Sequence, residues 1–174
     1  GYACRHGYDL LYMRMRSTTC RHELLGERHP SYCKLVAVAE TLRRGYALVA
    51  FLDSDAFFRN VSWSLRELLH FHRSSSKPNH TAVSFGIDQP FSFGPNGGVH
   101  FWRNTAAAAR LLWTWWHLPG GWHHLQHDFE QHALQWSLLP LRQFDGSIEV
   151  LTLQAMATSL DERGWPSYPH AIWH

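Results

Sequence analysis

Residues 47–55 of the chain read Ala-Leu-Val-Ala-Phe-Leu-Asp-Ser-Asp. The six apolar residues form a short continuous run, which is typical of a strand buried on both faces of a parallel sheet. The run leads directly into Asp53 and Asp55. Because ligands in open α/β sheets bind beyond the carboxyl ends of the strands, the stretch predicts both the fold class and the place of a site.

Strand and helix patterns alternate on either side of this stretch. We predict further strands at residues 8–15, 82–85, 98–102 and 148–153, and helices at residues 30–44, 64–71, 105–116 and 128–138. Pro30 suits a first helical turn, Gly45 suits a helix end, and Ser64 and Glu67 have the spacing of a capping box. The alternation predicts an α/β three-layer sandwich with a mostly parallel central sheet.

The composition indicates one globular domain over residues 1–174. The chain is 45% hydrophobic and 17% charged, which is sufficient for one buried core. The formal net charge is +2 without runs of like charge, so we expect no nucleic-acid partner. No apolar run approaches the roughly 20 residues that span a bilayer, so we expect no membrane segment within the chain.

Three cysteines, Cys4, Cys20 and Cys33, are too few for a disulfide scaffold or a four-thiolate zinc site. One disulfide with one free thiol, or three free thiols, would both fit. Asn60 and Asn79 begin glycosylation sequons, which matter only in the secretory route.

Asp53 and Asp55 are the candidate metal ligands. Their carboxylate oxygens suit Mg²⁺ or Mn²⁺, and alternate side-chain directions let one bind the metal while the other reaches the metal or a sugar hydroxyl. Such a cation stabilises the charge that builds on a diphosphate leaving group. The alternative is a solvated turn, and the apolar strand before the pair favours the site.

Four segments follow one another in a characteristic order. They are residues 29–35 (His-Pro-Ser-Tyr-Cys-Lys-Leu), 51–58 (Phe-Leu-Asp-Ser-Asp-Ala-Phe-Phe), 96–99 (Asn-Gly-Gly-Val) with 103–104, and 130–134 (Glu-Gln-His-Ala-Leu). In this order they resemble the landmarks of family 34 glycosyltransferases, over nearly the whole chain. The resemblance implies a GT-A (Rossmann-like) fold and Mn²⁺-dependent transfer of a hexose or pentose, from UDP-galactose or UDP-xylose, to a glycan or glycoprotein with retention of configuration.

The resemblance also assigns the metal and donor residues. Asp53 and Asp55 would hold the metal, with His174 as the third ligand and His170 as its alternative. The residues that would bind the nucleotide-sugar donor, besides Asp53, are Lys34, Asn96, Gly97 and Gly98. In that group the lysine would neutralise or orient donor groups, the asparagine would sit by the transferred sugar, and the glycines would let backbone approach the ligand.

Residues 128–131 would supply the catalytic groups. Gln131 would contact the reacting face of the sugar. Glu130 stands where the family has Asp, and Asp128 lies two residues earlier, so either carboxylate could assist the chemistry. The alternative for both is ordinary charge at a helix N-terminus.

Relative to the family, the chain lacks about one strand and one helix at its start and stops at His174, so we expect a partial domain, incomplete at both ends. The resemblance implies the Golgi lumen for a eukaryotic source, with an anchor outside this chain, and the cytoplasm otherwise.

Two other functions compete with this interpretation. His123, His124 and His127 could hold zinc in a hydrolase, although the Glu of a His-Glu-x-x-His site is missing. A carbohydrate-binding domain could keep the fold without catalysis. Tryptophans could form acceptor platforms, with core packing favoured for most of them; Trp113, Trp115 and Trp116 are candidates, and Trp122 and Trp165 are the preferred ones.

Overall fold

The computed structural model describes residues 1–15, 19–58, 61–71, 81–87, 94–118, 129–144, 146–151, 156–157 and 172–173. The helices are α1 (Tyr2–His6), α2 (Cys33–Arg43), α3 (Leu65–Phe71), α4 (Ala106–His117) and α5 (Phe129–Ala133). The strands are β1 (Cys20–His22), β2 (Gly26–Arg28), β3 (Leu48–Leu52), β4 (Phe57–Phe58), β5 (Val83–Ile87), β6 (Pro95–Arg103), β7 (Ile148–Val150), β8 (Met156–Ala157) and β9 (Ile172–Trp173). A 3₁₀ turn (Pro30–Tyr32) precedes α2, and a π-helical turn (Leu134–Leu138) and a second 3₁₀ turn (Leu139–Leu141) follow α5.

The larger sheet has four strands in the order β3-β6-β5-β7. β6 is antiparallel to both of its neighbours, whereas β5 and β7 are parallel. The mostly parallel sheet expected from the sequence is therefore not what the described strands show. Only residues 88–94 separate β5 from β6, and so short a connection leaves no room for the crossover helix of a parallel pair.

This topology still brings the important strand ends to one edge. β3, β5 and β7 point in the same direction, so their carboxyl ends lie together. β6 runs the opposite way, which places its first residues at that same edge. A residue that follows β3 therefore meets residues at the start of β6.

Apolar side chains cover both faces of the sheet. Phe101 and Trp102 are consecutive on β6 and at most 1% exposed, and they belong to different core clusters because strand side chains alternate. One cluster includes residues of α2 and α4, and the other includes residues of α3. This arrangement is a mixed α/β fold with helices on either side of the sheet.

β3 is less buried than its sequence predicts. All five of its residues, Leu48–Leu52, are partly exposed. The reason is its position, since β3 lies at the end of the strand order with β6 as its neighbour in the sheet. The apolar run correctly predicted the strand but not its place at an edge.

The predicted strand at residues 8–15 is wrong. These residues form neither strand nor helix, and α1 precedes them instead. Tyr12 is 91% exposed and Leu10 is 84% exposed. Residues 8–15 have no partner strand in the described part of the chain. An alternation of apolar and polar residues does not form a sheet without such a partner.

Several predicted helix ends are confirmed. The Ser64 backbone N–H donates to the Glu67 carboxylate at 2.8 Å, and the Ser64 hydroxyl accepts from the Glu67 backbone N–H at 3.2 Å, as a capping box requires. The Thr105 hydroxyl caps α4 by accepting from the backbone N–H of Ala108 at 3.1 Å. The side chain of the preceding residue, Asn104, donates to the Leu42 carbonyl at 2.9 Å. No helix among the described residues is long and apolar enough to cross a membrane.

A disulfide joins Cys20 on β1 to Cys33 at the start of α2, and Cys4 is an exposed free thiol. Of the two possibilities that the sequence left open, the structure therefore has one disulfide with one free thiol and not three free thiols. The disulfide ties the β1–β2 hairpin to the first turn of α2, one residue before Lys34.

We expect the double substitution Cys20→Ser/Cys33→Ser to lower the free energy of unfolding by about 3 kcal/mol, because the bond closes a short loop in the unfolded chain. The two cysteines are 13 residues apart. Chemical denaturation of the oxidised protein and the variant would measure the difference. Cys4→Ser is the matched control and should leave stability unchanged, whereas equal stability of all three proteins would contradict a stabilising bond.

Candidate functional site

The site begins where β3 ends. Asp53 follows Leu52, whose partner on β6 is Val99. The backbone N–H of Asp53 donates to the carbonyl of Gly98 at 2.8 Å. This pairing places the first aspartate beside residues 96–98, as the strand directions require.

Lys34 lies at the centre of the site. Its Nζ is 3.1 Å from Oδ1 and 3.2 Å from Oδ2 of Asp53, and 2.8 Å from Oε1 of Glu130. It also donates to the carbonyl of Gly97 at 2.9 Å. The side chains of Lys34 and Glu130 are only 7% and 6% exposed, while that of Asp53 is 32% exposed. Burying the ammonium is tolerated because each contact is a charge-assisted bond or a carbonyl contact.

Gly97 lies in close contact with α5. A Cβ at this position would lie 3.1 Å from Gln131 Cβ and 3.1 Å from Glu130 Oε1. The Gly97 backbone N–H donates to Oε1 of Gln131 at 2.6 Å. The carbonyl oxygen of Gln131 therefore contacts β6 in this structure, and its predicted contact with the sugar remains a prediction.

Asn96 also contributes to the local backbone. Its Oδ1 accepts from the backbone N–H of Gly98 at 2.7 Å, and the residue is 3% exposed. The asparagine and the glycines predicted to bind the donor are thus gathered at the start of β6, beside Asp53. The bond to Gly98 lies within β6, where the register of the β5–β6 pairing shifts between Phe85 and Gly86.

Contacts from three elements position α5. The indole N–H of Trp115 on α4 donates to the Glu130 carbonyl at 2.9 Å, and Trp115 is fully buried. Nε2 of Gln135 donates to the Pro95 carbonyl at 2.9 Å. The His29 ring stacks on the Phe129 ring with centroids 3.4 Å apart. Sequence reasoning did not assign these roles to Trp115 or Gln135; the polar end of a buried Trp was the available signal for the former.

Burial controls the ionisation of two aromatic groups beside Glu130. Burial lowers the pKa of His29, against the opposing effect of Glu130. Burial raises the pKa of Tyr32 to about 12, while Arg28 opposes that rise. Near neutral pH both groups are therefore uncharged.

His100 supports the site from within the sheet. Its ring stacks on Phe51 with centroids 4.8 Å apart, and its Nδ1 accepts from Nε1 of Trp102 at 2.6 Å. Burial, followed by the nearby charge of Lys34, lowers the pKa of His100 to about 3. His100 is therefore a neutral packing residue rather than a proton donor.

The free energy of unfolding should fall in mild acid, because the folded protein holds His100 in its neutral form. Its pKa is about 3 when folded and 6.5 ordinarily, so between these values the unfolded chain binds a proton that the folded chain does not. His100 alone should therefore remove about 1.4 kcal/mol per pH unit as pH falls from about 6 to 4. His100→Gln, which keeps an acceptor for Trp102, should give a shallower slope in denaturation at several pH values; an unchanged slope would contradict this origin.

The donor atoms at this edge suit a hard divalent cation. Asp53 is partly exposed and Asp55 is exposed, so both can present carboxylate oxygens to solvent. Mg²⁺ and Mn²⁺ keep waters and phosphate oxygens as ligands, so two protein carboxylates form an acceptable partial set. Within the described residues there is no group of three or more His, Cys, Asp or Glu side chains that could hold a metal.

Several predicted residues lie outside the described part of the chain. They are Asp128, His170, His174, the tryptophans 122 and 165, and the histidines 123, 124 and 127. The backbone next to one of them is described: Trp173 on β9 pairs with Phe57 on β4, two residues after Asp55. β9 runs antiparallel to β4, so it runs toward the end of β4 that lies nearer Asp55.

Two clefts lie on either side of Trp113, which is 62% exposed, with volumes of about 450 and 370 Å³. Neither lining contains a carboxylate. Trp115, in contrast, is fully buried, as core packing predicts. We therefore place the candidate site at Asp53 and Lys34, where charged groups converge.

One of three comparisons with known proteins, the search of solved structures, supports this fold. No family model matches the chain, and no curated protein matches it. A solved structure, the "crystal structure of a glycosyltransferase involved in the glycosylation of the major capsid of PBCV-1", matches with a TM-score of 0.71 and 16% sequence identity, over 99% of this chain and 80% of that chain. At this identity the match shows that the two chains share a fold, which is that of a glycosyltransferase; it does not identify family 34.

Proposed function

We propose that this chain is a metal-dependent glycosyltransferase that moves a hexose or pentose from a nucleotide-diphosphate sugar to a glycan or glycoprotein acceptor. The observation that carries the proposal is the convergence of Asp53, Lys34 and Glu130 at the strand-end edge of a fold shared with a glycosyltransferase. UDP-galactose or UDP-xylose as donor, and retention of configuration, follow from the resemblance to family 34.

The metal would be Mn²⁺ or Mg²⁺, held by Asp53, Asp55 and His174. The backbone pairing of β9 with β4, which follows Asp55, supports the histidine as the third ligand. When bound, such a cation would supply Lewis-acid stabilisation of the charge that develops on the diphosphate.

The remaining residues would orient the donor and exclude water. Lys34 would place a positive charge at the edge where the phosphates would lie, and Gly97 and Gly98, which have no side chains, would let the backbone approach the ligand. Glu130 is held by Lys34 and by the bond from Trp115 to its backbone carbonyl, so its carboxylate would keep a fixed position beside the donor. Gln131 would contact the reacting face of the sugar after releasing Gly97.

A secretory location fits the cysteine chemistry. Disulfides persist in oxidising compartments, and this chain carries the Cys20–Cys33 bond. We therefore propose the Golgi lumen if the source is eukaryotic.

The direct test is a transfer assay with purified protein. The protein would be incubated with Mn²⁺, a panel of UDP-sugars including UDP-galactose and UDP-xylose, and mixed oligosaccharides, with UDP release and product mass measured. We expect one UDP-sugar to be turned over, activity to disappear with EDTA, and Mn²⁺ to restore it. Binding of free glycans without turnover of any nucleotide sugar would instead identify a carbohydrate-binding domain.

A further inference from the structure

One ammonium group serves two carboxylates on different elements. Lys34 Nζ lies within 3.2 Å of both oxygens of Asp53, which follows β3, and 2.8 Å from one oxygen of Glu130 on α5. The two acidic side chains differ in burial, since Glu130 is 6% exposed and Asp53 is 32% exposed. The lysine is thus shared between an inner and an outer carboxylate.

A divalent cation would compete with Lys34 for the outer carboxylate, that of Asp53. Mg²⁺ and Mn²⁺ bind carboxylate oxygens directly, at short distances. Both oxygens of Asp53 are already in contact with the ammonium, and two cations on one carboxylate repel each other. Full engagement of Asp53 by a divalent cation therefore favours withdrawal of Lys34.

We propose that Lys34 is the internal counter-ion of this cation site and that Glu130 retains Lys34 when the divalent cation takes Asp53. This inference rests on the proposed function. Lys34 keeps two partners when it leaves Asp53, because its Nζ also contacts Oε1 of Glu130 at 2.8 Å and the Gly97 carbonyl at 2.9 Å. Glu130 can act as the retaining group because it is buried and its backbone is bonded to Trp115.

The roles predict opposite effects of two neighbouring substitutions. Lys34→Met removes the competitor and should tighten Mn²⁺ binding about tenfold, because Asp53 loses its ammonium partner. Glu130→Gln leaves Lys34 with Asp53 as its carboxylate partner and should weaken Mn²⁺ binding about tenfold. A lysine that helped to hold the cation or its ligands in place would give the opposite sign for Lys34→Met.

The test is a titration with Mn²⁺ alone, followed by the relaxation rate of water protons, which detects weak binding without substrate. The variants are Lys34→Met, Glu130→Gln, the double variant, and Asp53→Asn as the site control. Thermal denaturation of each protein would confirm folding. The double variant removes the buried Glu130 charge together with its lysine partner, and the carboxylate that remains, Asp53, is 32% exposed, so the double variant replaces Lys34→Met if that single variant does not fold.

In the background of Lys34→Met, adding Glu130→Gln should change Mn²⁺ affinity by less than about twofold, since Glu130 acts through the lysine. Tightening by Lys34→Met or by the double variant, with weakening by Glu130→Gln, would support the proposal. Equal or weaker binding without Lys34 would overturn it and leave the proposed function intact. Wild-type protein that binds Mn²⁺ no better than Asp53→Asn would overturn both the inference and the metal site of the proposed function.

Discussion

Asp53→Asn is expected to reduce Mn²⁺-dependent sugar transfer by about a thousandfold, the size of effect seen when a group that stabilises transition-state charge is removed. Asp55→Asn should cause a comparable loss. Asp53 contacts Lys34 at the edge of the sheet, and Lys34 keeps Glu130 and the Gly97 carbonyl as partners. We therefore expect the free energy of unfolding to change by less than about 1 kcal/mol.

Initial rates at saturating Mn²⁺, with chemical denaturation of the same proteins, would measure both effects. Asp9→Asn is the matched control, because Asp9 is an exposed carboxylate that accepts from the Tyr46 hydroxyl at 2.8 Å. It should retain full activity. Full activity in Asp53→Asn and Asp55→Asn would remove the basis for the proposed site.

Gly97→Ala is expected to damage both stability and activity. The new methyl group would meet Gln131 Cβ and Glu130 Oε1 at 3.1 Å, and neither can move freely. Gln131 is bonded to Gly97 N–H, and Glu130 is held by Lys34. Overpacking of this kind costs about 1 to 3 kcal/mol. The displacement of α5 should also lower the transfer rate by about a hundredfold, since small misplacements of catalytic groups have effects of that order.

Gly94→Ala provides a control of equal size in the same segment. There the methyl group would meet the outer atoms of the Gln135 side chain, beginning at 3.1 Å. That side chain can move aside by giving up its bond to the Pro95 carbonyl, whereas Cβ of Gln131 moves only with the backbone of α5. Unfolding curves and initial rates should show a clearly smaller loss for Gly94→Ala. Equal losses in both variants would contradict the special spatial constraint at Gly97.

The local signals in the sequence predicted local structure well. The apolar run of residues 47–52 predicted β3, and Pro30 and Gly45 correctly bounded the helical region that contains α2. The capping box of Ser64 and Glu67 forms as expected. Each of these features depends on neighbours within a few residues, which is why a single sequence reveals them.

Features that depend on distant partners were not predicted. The alternation of apolar residues at positions 8–15 could not show whether a partner strand exists. In the structure these residues do not form a strand. The direction of β6 depends on the whole strand order. The distances from Lys34 to Asp53 and Glu130 join residues 19 and 96 positions apart in the sequence, so no local pattern could show that one lysine serves both.

Only part of the site could be predicted, because it also depends on residues that are far apart in the sequence. Asp53 was placed by the strand before it, whereas the resemblance alone gathered Lys34, Asn96 and Gly97 around it. The structure brings these residues together at one edge. The roles of these residues in donor binding, of Asp53, Asp55 and His174 in metal binding, and of the residues at 128–131 in catalysis stay predictions.

The central claim is that this edge binds a nucleotide diphosphate through a divalent cation. The most direct measurement is the melting temperature of the protein with Mn²⁺ and a panel of nucleotides and UDP-sugars, beside Asp53→Asn under identical conditions, since ligand binding stabilises the folded state. We predict a rise with UDP or one UDP-sugar that requires Mn²⁺ and is lost in Asp53→Asn. Absence of any nucleotide-dependent rise, together with a rise on adding zinc or free glycans, would contradict the claim.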